Sequence, residues 1–249
     1  LYYGEKNRIS VTVNPSMQPN SRWYSGAGIF RHVSISHAHP LHIAPDGIFA
    51  WTKRLEEPDA RGDFAKEAMV LAEVPVCNDT DKDHQVRVKA ELAPEETADS
   101  AGKDAADGCV RDTVLLVKAH QKAVARIPMT VKNPVLWNAD HTFLYQVKAQ
   151  LFDMGTFGVS LNPTQGEPLC DEADTWTGIR TVTADSTHGL RVNGRSLKLK
   201  GGCIHHDNGL LGAVSLYDSE YRKLKLLKDA RFNAVRLAHN PPSRELLEA

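Results

Sequence analysis

The densest cluster of groups able to bind or polarise a small polar molecule lies late in the chain. His205, His206, Asp207 and Asn208 are consecutive, and Arg236, His239 and Asn240 form a second group downstream. Together they offer imidazole, carboxylate, amide and guanidinium groups, donors and acceptors alike, which suits a ligand bearing several hydroxyls. Two histidines and an aspartate also fit zinc. Adjacent His205 and His206 point in different directions on most backbones, however, which weakens the metal reading. A blander alternative stays open on spacing alone: Asp207 and Asn208 cap a turn, and His239 satisfies loop backbone groups. Elsewhere, Gly26-Ala27-Gly28 lacks the third glycine and following helix of a dinucleotide loop. Ser25 before it has no nucleophile-elbow pattern around it, so a tight turn accounts for both.

The elements that must position these groups can be read on either side of them. Lys198 to Cys203 reads as a buried strand. Tyr217, Tyr221, Leu224 and Leu227 step by four, three and three along one helical face, with Asp218 as the expected N-cap. Asn233 to Leu237 reads as a second buried strand. A strand, helix, strand unit is right-handed with parallel strands, and belongs to a doubly wound sheet or a (β/α)₈ barrel. Ligands in such arrays bind beyond the carboxyl ends of the strands, so both polar clusters fall on one rim. A lone unit of this kind has an unfinished sheet, and the sequence predicts that the chain ends inside a domain.

Upstream the period changes from helical to two. Ala68 to Val76, Val86 to Leu92 and Tyr145 to Leu151 alternate, and apolar runs near Ile48–Leu55, Val114–Ala119, Val124–Val131 and Trp176–Val182 bring the total to about seven strands. That pattern predicts an immunoglobulin-like antiparallel β-sandwich and a mainly β chain. Arg8–Asn14 and Ile29–Ile35 read as two further strands, the end of a separate β domain or an added edge, joined by a loop carrying Arg22, Trp23 and Tyr24. Ala93–Gly108, rich in Ala, Asp and Glu, fits neither period and is expected to be a solvated loop.

Composition narrows the class of function. The chain has 249 residues, 41% hydrophobic and 24% charged, which is ordinary for a globular protein. A net charge of -1 supplies no general attraction to nucleic acid or an anionic membrane. No apolar run approaches the roughly 18 to 20 residues of a membrane span. Leu1-Tyr2-Tyr3-Gly4 shows neither a basic leader nor a cleavage site, and a signal peptide on a longer parent stays compatible with it. Cysteines 77, 109, 170 and 203 form no close pair and are expected to be free thiols in a reducing, cytoplasmic compartment.

Three runs carry a family resemblance. Asn20-Ser21-Arg22-Trp23-Tyr24-Ser25-Gly26-Ala27-Gly28-Ile29-Phe30-Arg31 resembles the closing strand of the sugar-binding domain in glycoside hydrolase family 2. Gly178-Ile179-Arg180, Val192-Asn193-Gly194-Arg195 and Lys200 to Gly209 resemble the entry into that family's catalytic barrel, and Phe232 to Ser243 resembles its second barrel strand. Pro134-Val135-Leu136-Trp137 before Phe143-Leu144-Tyr145 is similar to a motif of its sandwich domain. The resemblance implies three parts: residues 1–40 as the end of a jelly-roll, 41–183 as an immunoglobulin-like sandwich, and 184–249 as the start of a TIM barrel. Within the family the His-His-Asp and His-Asn-Pro-Pro-Ser versions look most like β-galactosidases, with β-glucuronidases and β-mannosidases sharing the framework.

The resemblance further implies a retaining mechanism, in which one Glu is acid/base and another is nucleophile, their carboxyl groups roughly 5 to 5.5 Å apart. The family's acid/base follows an Asn-Glu pair, which this sequence lacks. Both catalytic carboxylates are therefore expected beyond Ala249, and the chain alone is expected to be inactive. The rim residues carried over are His206 and His239, towards sugar hydroxyls or developing charge, and Arg236, orienting the nucleophile, with Asp207 and Asn240 beside them. No metal ligand carries over; a Mg or Na ion in the parent enzyme fits the resemblance without an assignable residue here. The implied partner is a β-galactoside or oligosaccharide, with a homo-oligomeric parent compatible. The rival reading is a non-catalytic carbohydrate-binding or adhesion module built on the sandwich.

Overall fold

The computed structural model describes residues 2, 4–14, 16, 28, 29, 31–95, 108–156, 167–205 and 208–249. The chain divides into two compact units, one of Ser36–Leu197 and one of Leu1–Ile35 with Lys198–Ala249.

The first unit is built on eight strands: β1 (Leu41–Ile43), β2 (Phe49–Glu56), β3 (Glu67–Asn78), β4 (His84–Pro94), β5 (Cys109–Val117), β6 (Gln121–Lys132), β7 (Tyr145–Thr156) and β8 (Leu169–Thr177). β3 is the axis of one antiparallel sheet, with β6 along one edge and β1 and β2 sharing the other. The second sheet runs β5-β4-β7-β8, also antiparallel throughout. The chain passes between sheets after β3, after β5 and after β6, the interleaving of an immunoglobulin-like sandwich.

Strict alternation specifies this packing. Val70, Ala72, Val74 and Val76 of β3 are fully buried against Val86, Val88, Ala90 and Leu92 of β4 and Val147, Ala149 and Leu151 of β7, all in one apolar core. Each such side chain is worth about 1.5–3 kcal/mol for the larger types, so a one-residue slip that turned them outward would cost the whole core. Tyr145, at the start of β7, is buried in that core, and its hydroxyl accepts from the Val135 N–H at 2.9 Å. This is the tyrosine-corner arrangement, a long side chain tying the strand back to the preceding crossover. Burial pushes the phenol up to about 12.

The expected strands are thus present, with shifts that have physical causes. β1 is missing from the sequence reading because three residues give no period. The predicted Trp176–Val182 strand is instead β8, beginning at Leu169: its acidic, edge-strand sequence hides the alternation, and Gly178 ends it. A Cβ on Gly178 would stand 2.7 Å from Trp137 Cβ, so the chain turns there beneath an indole.

Past β8 a small antiparallel sheet of β9 (Val182–Asp185), β10 (Gly189–Val192) and β11 (Arg195–Ser196) follows. Asn193 and Gly194, both at positive φ, close the β10–β11 hairpin as a two-residue turn. Asn193 is buried, and its side chain joins three segments. It accepts from the Thr181 N–H at 3.0 Å and donates to the carbonyls of Gly62 and Trp137, each at 3.0 Å.

In the second unit, β12 (Gly201–Ile204) and β13 (Ala234–Leu237) pair in parallel, joined by α1 (Tyr217–Asp229), and α2 (Arg244–Glu248) follows. The strand, helix, strand unit is present, but its two strands, expected to be buried, are mostly exposed, and the N-cap of α1 is Leu216 and not Asp218. The helix starts earlier because the Ser219 and Glu220 amides both bond the Leu216 carbonyl, leaving Asp218 within the first turn, where its charge suits the helix dipole. The strands predicted at Arg8–Asn14 and Ile29–Ile35 are absent among the described residues. Alternation makes a strand only where an edge supplies hydrogen bonds, and Ile9, Val11, Val33 and Ile35 are exposed instead. Arg22 to Ala27 and residues 96–107 of the expected acidic loop lie outside the described residues.

Candidate functional site

The site is set by strand register. β12 and β13 run parallel, Cys203 opposite Arg236 and Ile204 opposite Leu237, so the segments after them emerge side by side. His205 leaves β12, while Ala238, His239 and Asn240 leave β13. The ends are laced together: the Ala238 N–H donates to the Ile204 carbonyl at 3.3 Å, and His205 Nδ1 bonds the Ala238 carbonyl at 2.5 Å. The His205 and His239 rings lie 6.4 Å apart, tilted by 34°. The peptide between Ala238 and His239 is cis.

Arg236 projects from β13 with Nη1 3.7 Å from Cys203 Sγ, its paired neighbour, and remains exposed. Asn240 lines a shallow pocket beside the strand ends, together with His205, Asn208, Ser215, Glu220 and Ser243. His206 and Asp207 lie outside the described residues. Of the expected rim, Arg236, His239 and Asn240 therefore share one end of the strand pair, with His205 beside them.

Asn208 belongs to the framework. Its amide N–H donates to the Gly212 carbonyl at 2.7 Å, its Oδ1 accepts from the Ser219 hydroxyl at 2.7 Å, and its Nδ2 donates to the Val214 carbonyl at 3.2 Å. That matches the blander turn reading for this residue. Sequence reasoning did not find the polar floor of the pocket. There, Ser215 Oγ donates to Glu220 Oε1 at 2.9 Å and lies 2.6 Å from Ser243 Oγ. Ser243 is the N-cap of α2, accepting from the Leu246 N–H at 3.1 Å. Lys223 Nζ stands 2.7 Å from Glu220 Oε2, at an angle outside hydrogen-bonding geometry, so that contact is an ion pair. In the first turn of α2, half-buried Glu245 is held below the usual carboxylate range, first by its own amide N–H and then by His32 at 3.0 Å.

The four cysteines are free thiols, with Cys77 and Cys109 buried. No helix among the described residues is long and apolar enough to cross a membrane. Among those residues, no three His, Cys, Asp or Glu side chains gather as a metal site would require.

With this geometry in hand, comparison with known proteins places the chain. The family model for glycosyl hydrolases family 2 matches residues 54–159, from β2 to just past β7. A β-galactosidase of Bacteroides ovatus, BoGH2A, is 32% identical over 248 residues, covering 100% of this chain and 26% of that protein. The chain belongs to glycosyl hydrolases family 2. A β-glucuronidase of Bacteroides fragilis is 26% identical over 257 residues, covering 96% of this chain and 32% of its own length. Among solved structures, a family 2 member from Bacteroides cellulosilyticus superposes with a TM-score of 0.76 at 33% identity, over 95% of this chain and 28% of its own. A Bacteroides uniformis β-glucuronidase superposes at 0.71 and 22% identity, a likeness of fold alone. The chain thus spans about a quarter to a third of the family relatives it matches here.

Proposed function

We propose that the protein carrying this chain is a retaining glycoside hydrolase acting on terminal β-D-galactosides. In this reading residues 1–40 end a jelly-roll sugar-binding domain, 41–183 form the immunoglobulin-like sandwich, and 184–249 open a (β/α)₈ catalytic barrel. The observation that carries the galactoside assignment is the end-to-end identity of 32% with a protein named a β-galactosidase. The parallel β12–β13 pair, with its polar groups at the carboxyl ends, supports the barrel reading, because barrel active sites lie at that face.

The chain's own residues would then bind and orient. His239 and His206 are assigned to the sugar hydroxyls or to the charge developing at the anomeric centre, Arg236 to orienting the nucleophilic carboxylate by charge-assisted hydrogen bonds, and Asp207 and Asn240 to supporting them. The proton donor and nucleophile are two carboxylates outside this sequence. A β-glucuronidase is the second reading, favoured by the named B. fragilis relative.

The deciding experiment is steady-state kinetics of the full-length protein on aryl β-galactoside and aryl β-glucuronide. We expect kcat/KM to favour the galactoside by at least about tenfold, a difference of some 1.4 kcal/mol in transition-state binding. A preference of that size for the glucuronide would replace the galactoside assignment. In the full-length enzyme, Arg236→Ala and His239→Ala are expected to lower kcat by about 10²- to 10³-fold with the fold intact by circular dichroism. Near-native kcat/KM in both variants would mean that they are turn and packing residues.

A further inference from the structure

We propose that Glu220 is a positioning residue for the rim, acting through Ser215 and Ser243 to fix the segment Ala238–Ser243 that presents His239 and Asn240. The inference deepens the hydrolase reading above and rests on it for its catalytic consequence.

The first ground is hydrogen-bond direction. Ser215 spends its single hydroxyl proton on Glu220 Oε1, so it cannot donate to Ser243. A hydrogen bond across the 2.6 Å contact between the two hydroxyls then has Ser243 as donor, with the Glu245 carboxylate as a competing acceptor for the same proton. Ser243 in turn accepts from the Leu246 N–H. The protons therefore run one way: Leu246 N–H to Ser243, Ser243 to Ser215, Ser215 to the carboxylate. A chain of this kind ending on an anion is polarised throughout and stronger than its separate bonds.

The second ground is slack. The segment is held at one end by β12, through the Ile204 and His205 bonds to Ala238, and at the other by Ser243. Between Asn240 and Ser243 stand Pro241 and Pro242, whose φ angles are fixed near -65°. A shift of Ser243 is therefore passed to Asn240 and His239 with little absorbed on the way.

The third ground is cost. Glu220 is the one charged residue among the buried polar groups described, 4% exposed, and Ser243 is 5% exposed. Even with Lys223 Nζ 2.7 Å from its Oε2, a buried carboxylate recovers little beyond its desolvation cost, and apolar side chains of like volume commonly hold two helices at least as well. Joining α1 to α2 does not by itself require this arrangement, whereas fixing the segment from Ala238 to Ser243 in one place does.

The test uses full-length protein with Glu220→Ala, Glu220→Gln, Ser243→Ala and the double variant Glu220→Ala/Ser243→Ala. We expect Glu220→Ala to lower kcat by about 10²-fold, the usual size for an ångström-scale displacement of reacting groups, with a much smaller change in KM. Gln keeps an oxygen acceptor at the same place, so Glu220→Gln should recover most of that loss. The double variant should be little worse than either single change, because a relay broken once is broken. Amide exchange at Leu246 should quicken in Glu220→Ala but not in Glu220→Gln. Unchanged exchange there, or a lowered melting temperature with kcat retained, would overturn the proposal. Should the wild type hydrolyse neither sugar, the hydrolase reading fails, and the exchange comparison alone then decides whether Glu220 holds the segment.

Discussion

The two compact units hold themselves together by different means. In the Ser36–Leu197 unit the inward faces of β3, β4 and β7 are sealed, and the buried amides of Asn78, Asn138 and Asn193 find partners for both their oxygen and their nitrogen. In the Lys198–Ala249 part, β12 and β13 leave most residues exposed, and organisation comes from hydrogen bonds around the strand ends. An apolar core tolerates exchange of like for like but fixes no single atom. Directed polar bonds place particular atoms and contribute modest net stability. The residues proposed to meet a sugar sit in the part governed by the second regime.

Core truncation should separate the two most sharply. Leu151→Ala removes a fully buried side chain of β7 and is expected to cost about 2–5 kcal/mol, whereas Leu226→Ala, on an α1 position more than half exposed, should stay within about 0.5 kcal/mol. Urea unfolding of the 249-residue chain measures both. A cost at Leu226 comparable to that at Leu151 would break the contrast.

Next in size is Asn193→Ala, which strips the hairpin of its bonds to Gly62, Trp137 and Thr181 and leaves a Cβ-bearing residue at φ 51°. The expected loss is about 1–3 kcal/mol by the same method. A change below about 0.5 kcal/mol would mean that water takes over these bonds and the pocket of Asn193 is not sealed.

The smallest effect is the most specific. Tyr145→Phe deletes the hydroxyl bonded to Val135 and should cost about 0.5–1.5 kcal/mol at neutral pH. It should also alter the alkaline limb. The folded phenol is raised to about 12, above the roughly 10 of an exposed tyrosine, so folding favours the neutral form. That contribution is complete below about pH 10 and is lost as pH rises towards 12. The Phe variant should lose less stability over that interval; parallel curves for the two proteins would show that the buried phenol does not titrate there.

Sequence made the sandwich legible because alternation is written residue by residue in β3, β4 and β7. The strand, helix, strand unit was legible for the same reason: the 217, 221, 224, 227 stripe lies within one helix. β1 and β8 were hidden by shortness and by an acidic edge composition. The polar floor left no trace, since Ser215 and Ser243 are 28 residues apart and meet only after α1 and α2 have packed. Asn193-Gly194 did carry a local hairpin signal, but its buried bonds reach Gly62, 131 residues away. Rim residues Arg236, His239 and Asn240 could be placed from strand-end logic, whereas His206 and Asp207 fall outside the described residues.

The contact between His205 and Ala238 settles a question of tautomer. A carbonyl oxygen has no proton to give, so Nδ1 of His205 must carry one, and in the neutral ring the lone pair then resides on Nε2. A backbone carbonyl just past β13 thereby fixes which nitrogen of the first residue after β12 carries the proton, a choice made by the pairing of the two strands and not by the ring itself.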